Sequence, residues 1–395
     1  MSRIVVTGMG IISAIGNNVE ENRTALINGK CGITTLENLA SRFASTMPFG
    51  EIKITTDTLK EQLHAHEQGV TRTMLLSLHA FNEAVTDSKL SADEISATDT
   101  AFISGNTVGG MCLTDELYAD ANKKENGSEY LTSYDSASVA IYVQDKHKMN
   151  GIVNTFNTAC SSSANAIMYG AKLIQHGFAK RAIVGGADTL AKFTINGFNA
   201  LRILSDEKCR PFDKNRKGLN LGEGAAYLVL EKEEDAVGKN IYAIVAGYGN
   251  ANDAYHPSSL SAEADGPVAA MQAALVKANL QANEIDFINA HGTATENNDE
   301  VESVAMKKVF EQVPAFASTK GNTGHTLGAA GAVEAVYSIL NLINQEVYPA
   351  LQFAESIDGT GLAPVTTYSK MPVQHIMSNS FGFGGNCTSL IFSKY

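Results

Sequence analysis

The chain has 395 residues, which is enough for two domains or for one large domain with a duplicated core. Hydrophobic residues make up 44% of it and charged residues 18%, which describes a well-packed globule and excludes a disordered chain or a coiled coil. The net charge of −12 argues against nucleic-acid binding, because that function needs a basic surface. Since the sequence shows neither a signal-peptide pattern nor an apolar run of about 18 residues, we expect a cytoplasmic protein without a membrane segment.

Short apolar runs alternate with helical patterns along the chain, which predicts an α/β protein whose sheets are covered by helices. The predicted strands are Ile4–Val6, Thr100–Ile103, Gly151–Asn157, Ala182–Gly186, Ala225–Glu231, Ile241–Gly247, Ile285–Ala290 and Ser389–Ser393. The predicted helices include Val19–Asn28, Ser163–His176, Pro267–Ala278 and Gly331–Asn344. The glycines that follow Ile4–Val6 indicate a turn at the end of that strand. The charged stretch Glu231–Asn240 is the predicted seam between an N-terminal half, residues 1–240, and a C-terminal half, residues 241–395.

The two halves on either side of this seam share a faint internal repeat. Each half has a strand that ends in a glycine turn, DTAFISGNTVGG in the first half and IDFINAHGTAT in the second. In each half a turn rich in small residues then opens a helix, and these two turns carry Cys160 and His325. The repeat therefore predicts that Cys160 and His325 occupy equivalent places.

Cys160 is the one cysteine of five whose position indicates chemistry. The cysteines are odd in number, far apart and never in a CxxC pair, so we expect neither a disulfide framework nor a zinc site. Cys160 follows a predicted strand and opens a helix that begins Ser161-Ser162-Ser163. The helix dipole is expected to lower the pKa of the thiol, and the flanking serines are expected to cap the helix.

Two histidines lie on glycine-flanked turns. His291 stands at the C-terminal end of the apolar run Ile285–Ala290 and precedes Gly292, in the region where α/β active sites collect. His325 lies in the segment GNTGHTLGAAGA, at a transition from loop to helix. A cysteine and two histidines in such contexts predict nucleophilic catalysis.

Four motifs carry a resemblance to a known family: TACSSSANA, NAHGTAT, STKGNTGHTLGAAGAVEA and SNSFGFGGN. They resemble the signature blocks of β-ketoacyl-acyl-carrier-protein synthases of the Cys-His-His type, the synthase I and II group. The similarity extends from RIVVTGMGIIS at residue 3 to the last strand. It implies the thiolase fold, a five-layer α-β-α-β-α sandwich of two similar halves, in a homodimer. It also implies an acyltransferase of fatty acid or related polyketide elongation that uses no cofactor and takes acyl and malonyl groups from acyl carrier protein.

The resemblance implies a role for each residue of the predicted site. Cys160 would take the acyl group as a thioester, and the backbone N–H groups of Cys160 and Phe383 would bind the oxyanion. His291 and His325 would each donate a hydrogen bond to the thioester carbonyl of the malonyl group and so promote its decarboxylation. The resulting enolate would attack the Cys160 thioester and give a 3-oxoacyl product.

Further residues are implied to support this site. Lys320 would lie beside His325, with Glu334 holding the lysine as its counter-charge. A structural monovalent cation, Na⁺ or K⁺, could also be held nearby. The residues that the resemblance suggests around this cation are Asn289, Glu334, Ser378 and Asn379.

The acyl pocket and the carrier-protein surface complete the implied roles. Phe383 would gate the pocket and Phe381 would support it. Val108 would lie near the end of the acyl chain. The basic segment from residue 202 to residue 217 is expected to meet the acidic carrier protein, with Arg202 and Lys208 in contact with it.

Several alternatives follow from the same residues. The loop after His291 reads GTATENND, which departs from common bacterial fatty-acid enzymes and suggests an elongating ketosynthase of an aryl-polyene or resorcinol-type pathway. A thiolase or a synthase III would carry Cys-His-Cys or Cys-His-Asn, so His325 argues against both. A chain-length factor, a non-catalytic partner subunit of the same fold, normally lacks the nucleophile, whereas Cys160 is present. A Cys-His hydrolase would have no lysine in its site, and Lys320 argues against it.

Overall fold

The computed structural model describes residues 2–395 and shows an α/β protein with a ten-stranded sheet and a separate two-stranded sheet. The strands are β1 (Ile4–Ser13), β2 (Thr100–Gly105), β3 (Val153–Phe156), β4 (Arg181–Asp188), β5 (Gly224–Lys232), β6 (Ala243–Asn252), β7 (Phe287–Asn289), β8 (Ala315–Ala317), β9 (Glu346–Val347), β10 (Ser369–Lys370), β11 (His375–Phe381) and β12 (Asn386–Ser393).

Helices of two kinds connect these strands. The α-helices are α1 (Val19–Ile27), α2 (Thr56–Leu63), α3 (Arg72–Asp87), α4 (Ala92–Ser96), α5 (Thr114–Lys123), α6 (Ser138–His147), α7 (Ser162–Gln175), α8 (Lys192–Ala200), α9 (Asp265–Ala278), α10 (Glu296–Val309), α11 (Lys320–Thr323) and α12 (Ala330–Asn344). Short 3₁₀ helices lie at Gly109–Leu113, Leu131–Ser133, Glu233–Asp235, Ala282–Glu284 and Leu327–Ala329.

The order of the strands in the large sheet repeats itself about its centre. From the centre outwards, β1-β5-β4-β2-β3 on one side matches β6-β12-β11-β7-β8 on the other. The pairing pattern is also the same on both sides: from the centre outwards, the first two pairs of neighbouring strands are antiparallel and the next two are parallel. β1 and β6 join the two halves through two residue pairs, Val5 with Ile244 and Val6 with Ala243. The predicted internal repeat is confirmed, while the boundary between residues 240 and 241 stays a prediction.

The helices form three layers around the two halves of the sheet. α7 and α12 contact each other and contact strands of both halves, so they lie between them. α3 covers the outer face of β1, β4 and β5, while α9 covers β6 and β12 with α10 beside it. This arrangement is the five-layer sandwich that the resemblance implies, and the predicted fold is confirmed.

The two central helices place the turns of Cys160 and His325 next to each other. Most residues of α7 and α12 are buried, and α12 is apolar on almost every face because other elements surround it. The stretch Leu327–Asn344 is long and apolar enough to cross a membrane by length and composition, but 89% of it is buried inside the protein. It therefore serves as a core element of this fold.

The predicted strands and helices are all found, and the largest difference concerns β1. The expected glycine turn after Ile4–Val6 is wrong, because the strand continues to Ser13. Its glycines lie under α3: a Cβ atom on Gly10 would come within 2.1 Å of the carbonyl oxygen of Ala80. These glycines therefore allow a helix to approach the strand closely, and they do not end it.

Candidate active site

The turn that carries Cys160 links β3 to α7. Ala159, the residue before the cysteine, has a φ of +52°, a left-handed conformation that costs a non-glycine residue about 1–3 kcal/mol. The carbonyl oxygen of Ala159 accepts hydrogen bonds from the hydroxyls of Ser162 at 2.6 Å and Thr107 at 3.2 Å. These bonds hold the strained turn and keep the Cys160 side chain in the wall of a cavity.

The serines after Cys160 do not cap α7, and this prediction is wrong. Ser161 occupies the N-cap position, but its side chain accepts no hydrogen bond from a helix N–H group. Its Oγ instead lies 2.8 Å from the Thr158 carbonyl oxygen and 2.7 Å from Asn386 Oδ1. Ser162 Oγ accepts the Thr158 N–H at 2.9 Å. Both hydroxyls therefore stabilise the turn that precedes the helix.

His325 presents its Nε2 atom to the cysteine. The distance from His325 Nε2 to Cys160 Sγ is 3.0 Å. The Leu327 N–H donates to His325 Nδ1 at 3.3 Å, so Nδ1 is the acceptor and the proton of the neutral ring lies on Nε2. Burial and the charge of Lys320 hold the pKa of His325 well below its ordinary value. His325 is therefore a neutral Nε2–H donor at physiological pH.

His291 points a second donor at the same place. Its N–H and that of Gly292 each donate to Glu302 at 2.8 Å, which fixes the turn after β7. Lys320 Nζ lies 3.2 Å from His291 Nδ1, so the ammonium donates to Nδ1 and the ring proton lies on Nε2. Burial, Lys320 and His325 hold the pKa of His291 well below its ordinary value. The two imidazole rings lie 5.4 Å apart and nearly perpendicular.

Lys320 and Glu334 form a buried ion pair behind His291. Lys320 Nζ also donates to the His291 carbonyl oxygen. Burial raises the pKa of Glu334 to about 7, although Lys320 opposes this shift. The hydrogen bonds of Lys320 go to His291, and its charge also acts on His325, so the expected position of Lys320 beside His325 stays a prediction.

The three reactive side chains could in principle ligate a metal. Cys160 Sγ and a ring nitrogen of each histidine lie within 4.8 Å of one another, and zinc accepts thiolate and imidazole ligands. The ammonium of Lys320, 3.2 Å from His291 Nδ1, opposes a divalent cation at this point.

Two backbone N–H groups converge on the sulfur of Cys160. The backbone N–H groups of Phe383 and of Cys160 itself act on Cys160 Sγ and lower its pKa. The ring of Phe383 stacks on that of Phe198, with centroids 5.7 Å apart and 15° between the planes. The ring of Phe381 lies 5.8 Å from that of His291. The site therefore holds two pairs of donors, one of backbone N–H groups and one of imidazole groups.

The predicted lowering of the Cys160 pKa is wrong. Burial raises the pKa of the thiol to about 11, even though the Phe383 N–H and the charge of Lys320 act in the opposite direction. A helix dipole contributes about 0.3–2 kcal/mol, whereas full burial of a charged group shifts a pKa by up to about 3–5 units. Cys160 is thus a thiol at neutral pH and must lose its proton as it attacks.

Alkylation should reveal this raised pKa. Because the thiolate is the nucleophile, the rate at which iodoacetamide modifies Cys160 should still rise about tenfold per pH unit up to about pH 10, where a thiol of ordinary pKa has levelled off. Peptide mapping at each pH measures the rate at this residue, and a Cys160→Ser variant gives the background from other cysteines. A rate that levels off before about pH 10 would show that the pKa is not raised.

The cavity in front of these groups has a volume of about 560 Å³. Arg202 lies exposed in its wall and forms no ion pair with any residue that the structure describes. Lys208 is exposed but does not line the cavity. Val108 is buried in an apolar cluster with Leu190 and Leu327, away from the lining. The cavity wall includes these predicted residues: Cys160, Arg202, His291, His325, Phe381 and Phe383.

Two buried acids that the sequence analysis missed hold the loops of the site. Glu302 fixes the backbone of His291, as described above. Asp188, at the end of β4, accepts the N–H groups of Val108 at 2.9 Å and Gly328 at 2.7 Å, and so ties the loop after His325 to the first half. Burial raises the pKa of both carboxyl groups to about 7. The sequence contained a signal for both acids. Asp188 lies just after the predicted strand Ala182–Gly186, and Glu302 lies just after the loop GTATENND that follows His291.

Known proteins resemble this chain over its whole length. Residues 1–236 match the N-terminal domain of β-ketoacyl synthases and residues 242–354 match their C-terminal domain. The mitochondrial 3-oxoacyl-[acyl-carrier-protein] synthase of Arabidopsis thaliana is 34% identical over 99% of this chain and 93% of its own length. The 3-oxoacyl-[acyl-carrier-protein] synthase 1 of Haemophilus influenzae is 33% identical over 100% of both chains.

Solved structures give the same picture. The structure described as the ishigamide ketosynthase/chain length factor superposes with a TM-score of 0.94 at 29% identity, covering 100% of this chain and 99% of its own. A ketosynthase in complex with its chain length factor from Xenorhabdus doucetiae gives a TM-score of 0.88 at 30% identity, covering 100% of this chain and 98% of its own.

Proposed function

Because this chain belongs to the β-ketoacyl synthase family, we propose that it is a 3-oxoacyl-[acyl-carrier-protein] synthase that condenses malonyl-carrier protein with an acyl group held on Cys160. One observation carries the proposal: a ring nitrogen of each of two histidines lies within 4.8 Å of a single buried sulfur, and two backbone N–H groups act on the same sulfur. Each pair suits one oxyanion of a reaction in two stages. Formation of a 3-oxoacyl product from purified protein, malonyl-carrier protein and an acyl primer tests this function.

The first stage transfers the primer to Cys160. The sulfur attacks the thioester carbonyl of the acyl-carrier protein, and the oxyanion that forms accepts the N–H groups of Cys160 and Phe383. The tetrahedral intermediate then expels the phosphopantetheine thiolate, which takes up the proton that the Cys160 thiol releases. The products are free carrier protein and an acyl thioester on Cys160.

The second stage joins two carbon atoms to this acyl group. The thioester carbonyl of malonyl-carrier protein accepts hydrogen bonds from Nε2–H of His291 and His325, which are held in the donor tautomer. The carbon–carbon bond to the malonyl carboxylate breaks and carbon dioxide leaves. The electron pair of the broken bond stays on the thioester fragment, which becomes an enolate. The enolate carbon attacks the carbonyl carbon of the Cys160 thioester, and the thiolate of Cys160 leaves and takes up a proton from water. Decarboxylation drives the step, so the proposed reaction uses no organic or redox cofactor.

A structural Na⁺ or K⁺ fits the predicted set of oxygen atoms behind this site. Asn289 Oδ1 and Glu334 Oε2 are buried and have no hydrogen-bond partner among the described residues. Ser378 and Asn379 are buried on the adjoining strand β11. Such an ion would satisfy the two orphaned acceptors and hold the loops together. A melting temperature that is higher in potassium or sodium chloride than in choline chloride would support this ion.

The proposed homodimer uses the free edge of the large sheet at β3. This edge strand is only partly buried, and its residue Phe156 is half-buried. On the neighbouring helix α6, Ile141 is exposed. An edge strand presents unpaired N–H and C=O groups that a second copy can pair with. Light scattering on the purified protein measures its molar mass in solution. A mass of twice the 42.0 kDa of one chain would support the homodimer, and a mass of one chain would contradict it.

A second candidate function is elongation in an aryl-polyene or resorcinol-type pathway, in partnership with a chain length factor. Two observations favour it. The neighbouring structures described above include complexes of a ketosynthase with a chain length factor. In the unusual loop GTATENND, Asn297 hydrogen-bonds the N–H and the carbonyl oxygen of Leu260 at the cavity wall. A panel of straight-chain and aryl primers, assayed with the purified protein, separates the two pathways.

Arg202 is proposed to recruit the carrier protein, with Lys208 beside it. Replacing Arg202 with glutamate should raise KM for carrier-bound substrate several-fold, because an exposed rim charge acts mainly on the association rate. Added salt should shrink the difference. Turnover of a short pantetheine thioester, which lacks the acidic protein, should change little.

A charge reversal of similar size elsewhere provides the control for this prediction. Lys394 follows the last residue of β12, whereas the loop of Phe383 precedes the first residue of this strand. A Lys394→Glu variant should therefore behave as wild type. If Arg202→Glu damages turnover of carrier-bound and pantetheine substrates equally, Arg202 shapes the cavity and does not recruit the carrier.

We place the reaction in the cytoplasm, since a reducing compartment keeps unpaired thiols such as Cys160 in the reactive state. Fractionation of cells that produce the protein, followed by immunodetection, tests this location. Recovery of the protein in an organelle or in an extracellular fraction would contradict it.

A further inference from the structure

Asn386 connects the turn that carries Phe383 with the turn that carries Cys160, the two segments whose N–H groups lower the pKa of Cys160. Its own carbonyl oxygen accepts the N–H of Gly382 at 2.8 Å, which closes the turn that carries Phe383. Its side-chain Oδ1 lies 2.7 Å from the hydroxyl of Ser161, the residue directly after Cys160. One residue thus ties the turn of Phe383 to the turn of the cysteine.

The same side-chain oxygen is the centre of a larger network. Asn386 Oδ1 accepts Asn165 Nδ2 from α7 at 2.8 Å and Asn250 Nδ2 from β6 at 3.0 Å. Asn165 Nδ2 also donates to Thr158 Oγ1, at 2.9 Å, on the turn before Cys160. Ser161 and Asn165 are buried, and hydrogen-bond networks in a buried setting are strong and restrict movement.

The two connected segments also touch directly. A Cβ atom on Gly382 would lie 2.6 Å from the Thr158 carbonyl oxygen and 3.2 Å from the Cys160 nitrogen. The loop of Phe383 therefore rests on the turn of Cys160 with no space between them. An oxyanion hole works when its donors lie about 2.7–3.1 Å from the oxyanion, so a shift of this loop by a few tenths of an ångström matters.

We propose that Asn386 is a positioning residue for the steps at the Cys160 thioester, in which it holds the Phe383 N–H at the right distance from the Cys160 N–H. The inference rests on the proposed function, because the two N–H groups bind an oxyanion only if Cys160 is acylated. Decarboxylation uses the imidazole donors of His291 and His325. The described hydrogen bonds of Asn386 do not extend to either histidine.

The test compares two half-reactions in the full-length protein. Acylation of Cys160 by an acyl-carrier protein is followed by intact mass, and carbon dioxide release from malonyl-carrier protein is followed without a primer. Asn386→Ala should slow acylation about 10- to 100-fold, less than the loss of a whole oxyanion donor, and change decarboxylation less than about twofold. Asn386→Asp keeps the acceptor oxygen and should restore most of the acylation rate.

Two further variants complete the design. Ser161→Ala removes the hydrogen bond to Asn386 from its other end and should reproduce the selective loss even if Asn386→Ala folds poorly. Ser393→Ala lies at the far end of the same strand, where Ser393 bonds His375 at 2.7 Å, and should leave both rates unchanged.

The remaining outcomes would overturn the inference. Equal loss of both half-reactions would mean that Asn386 serves general stability, and no loss of acylation would mean that the loop needs no such anchor. An Asn386→Asp variant as slow as Asn386→Ala would show that the acceptor oxygen is not what matters. Failure of the wild-type protein to become acylated at Cys160 would reject the proposed function itself, and this inference with it.

Discussion

The Cys160→Gln variant is expected to form no 3-oxoacyl product while it continues to release carbon dioxide from malonyl-carrier protein. Removal of the sulfur eliminates the acyl-enzyme, and the loss of an essential nucleophile typically lowers the rate by about 10⁴-fold or more. The imidazole donors of His291 and His325 remain, because their ring orientations depend on Lys320 and the Leu327 N–H. The glutamine amide also imitates the polar carbonyl of an acyl thioester, so decarboxylation should persist or rise.

The measurement is the rate of each product in the same reaction, carbon dioxide and 3-oxoacyl-carrier protein. A Cys31→Ala variant provides the matched control, since Cys31 is a half-exposed cysteine outside the cavity wall and should retain both activities. Condensation at more than a trace by Cys160→Gln would assign the nucleophile to another residue.

Replacing either His291 or His325 with alanine is expected to lower malonyl decarboxylation about 10²- to 10³-fold, the usual effect of losing one hydrogen-bond donor to a developing oxyanion. The two variants should differ in acylation. His291→Ala should leave acylation of Cys160 nearly intact, because the described hydrogen bond of the His291 ring is to Lys320 and none joins this ring to the sulfur. His325→Ala should slow acylation as well, because its Nε2 lies 3.0 Å from the sulfur.

His176, at the C-terminal end of the helix that begins after Cys160, provides the control for these variants. His176 is the C-cap of α7, whose N-terminal end adjoins Cys160, and His176→Ala should leave decarboxylation unchanged. Decarboxylation at the wild-type rate in both His291→Ala and His325→Ala would remove these histidines from the mechanism.

The placement of Cys160, His291 and His325 could be predicted because it follows from local patterns. A short apolar run followed by small residues predicts a strand, a turn and a helix, and side chains on such turns meet at one edge of a sheet. The same alternation, repeated on either side of Glu231–Asn240, predicted an α/β protein with two similar halves, and the five-layer sandwich followed from the family resemblance.

The failures of sequence analysis concern interactions across the fold. The pKa of Cys160 depends on its burial in the folded protein and on the N–H of Phe383, which lies more than two hundred residues away in the chain. The hydroxyl of Ser161 could cap a helix locally, but Asn386 from the other half offers it a different partner. The glycines of β1 indicate a turn until α3 is seen to lie against them. None of these partners is close in sequence, so local patterns could not reveal them.

The most direct test of the proposed mechanism is to find where an acyl primer attaches. The purified protein is incubated with an acyl-carrier protein, and the modified residue is identified by peptide mapping and intact mass. We predict one acyl group per chain, on Cys160, and its release as a 3-oxoacyl thioester two carbons longer when malonyl-carrier protein is added. An acyl group on Cys387 or Cys112 with none on Cys160, or an acylated Cys160 that malonyl-carrier protein does not discharge, would contradict the mechanism.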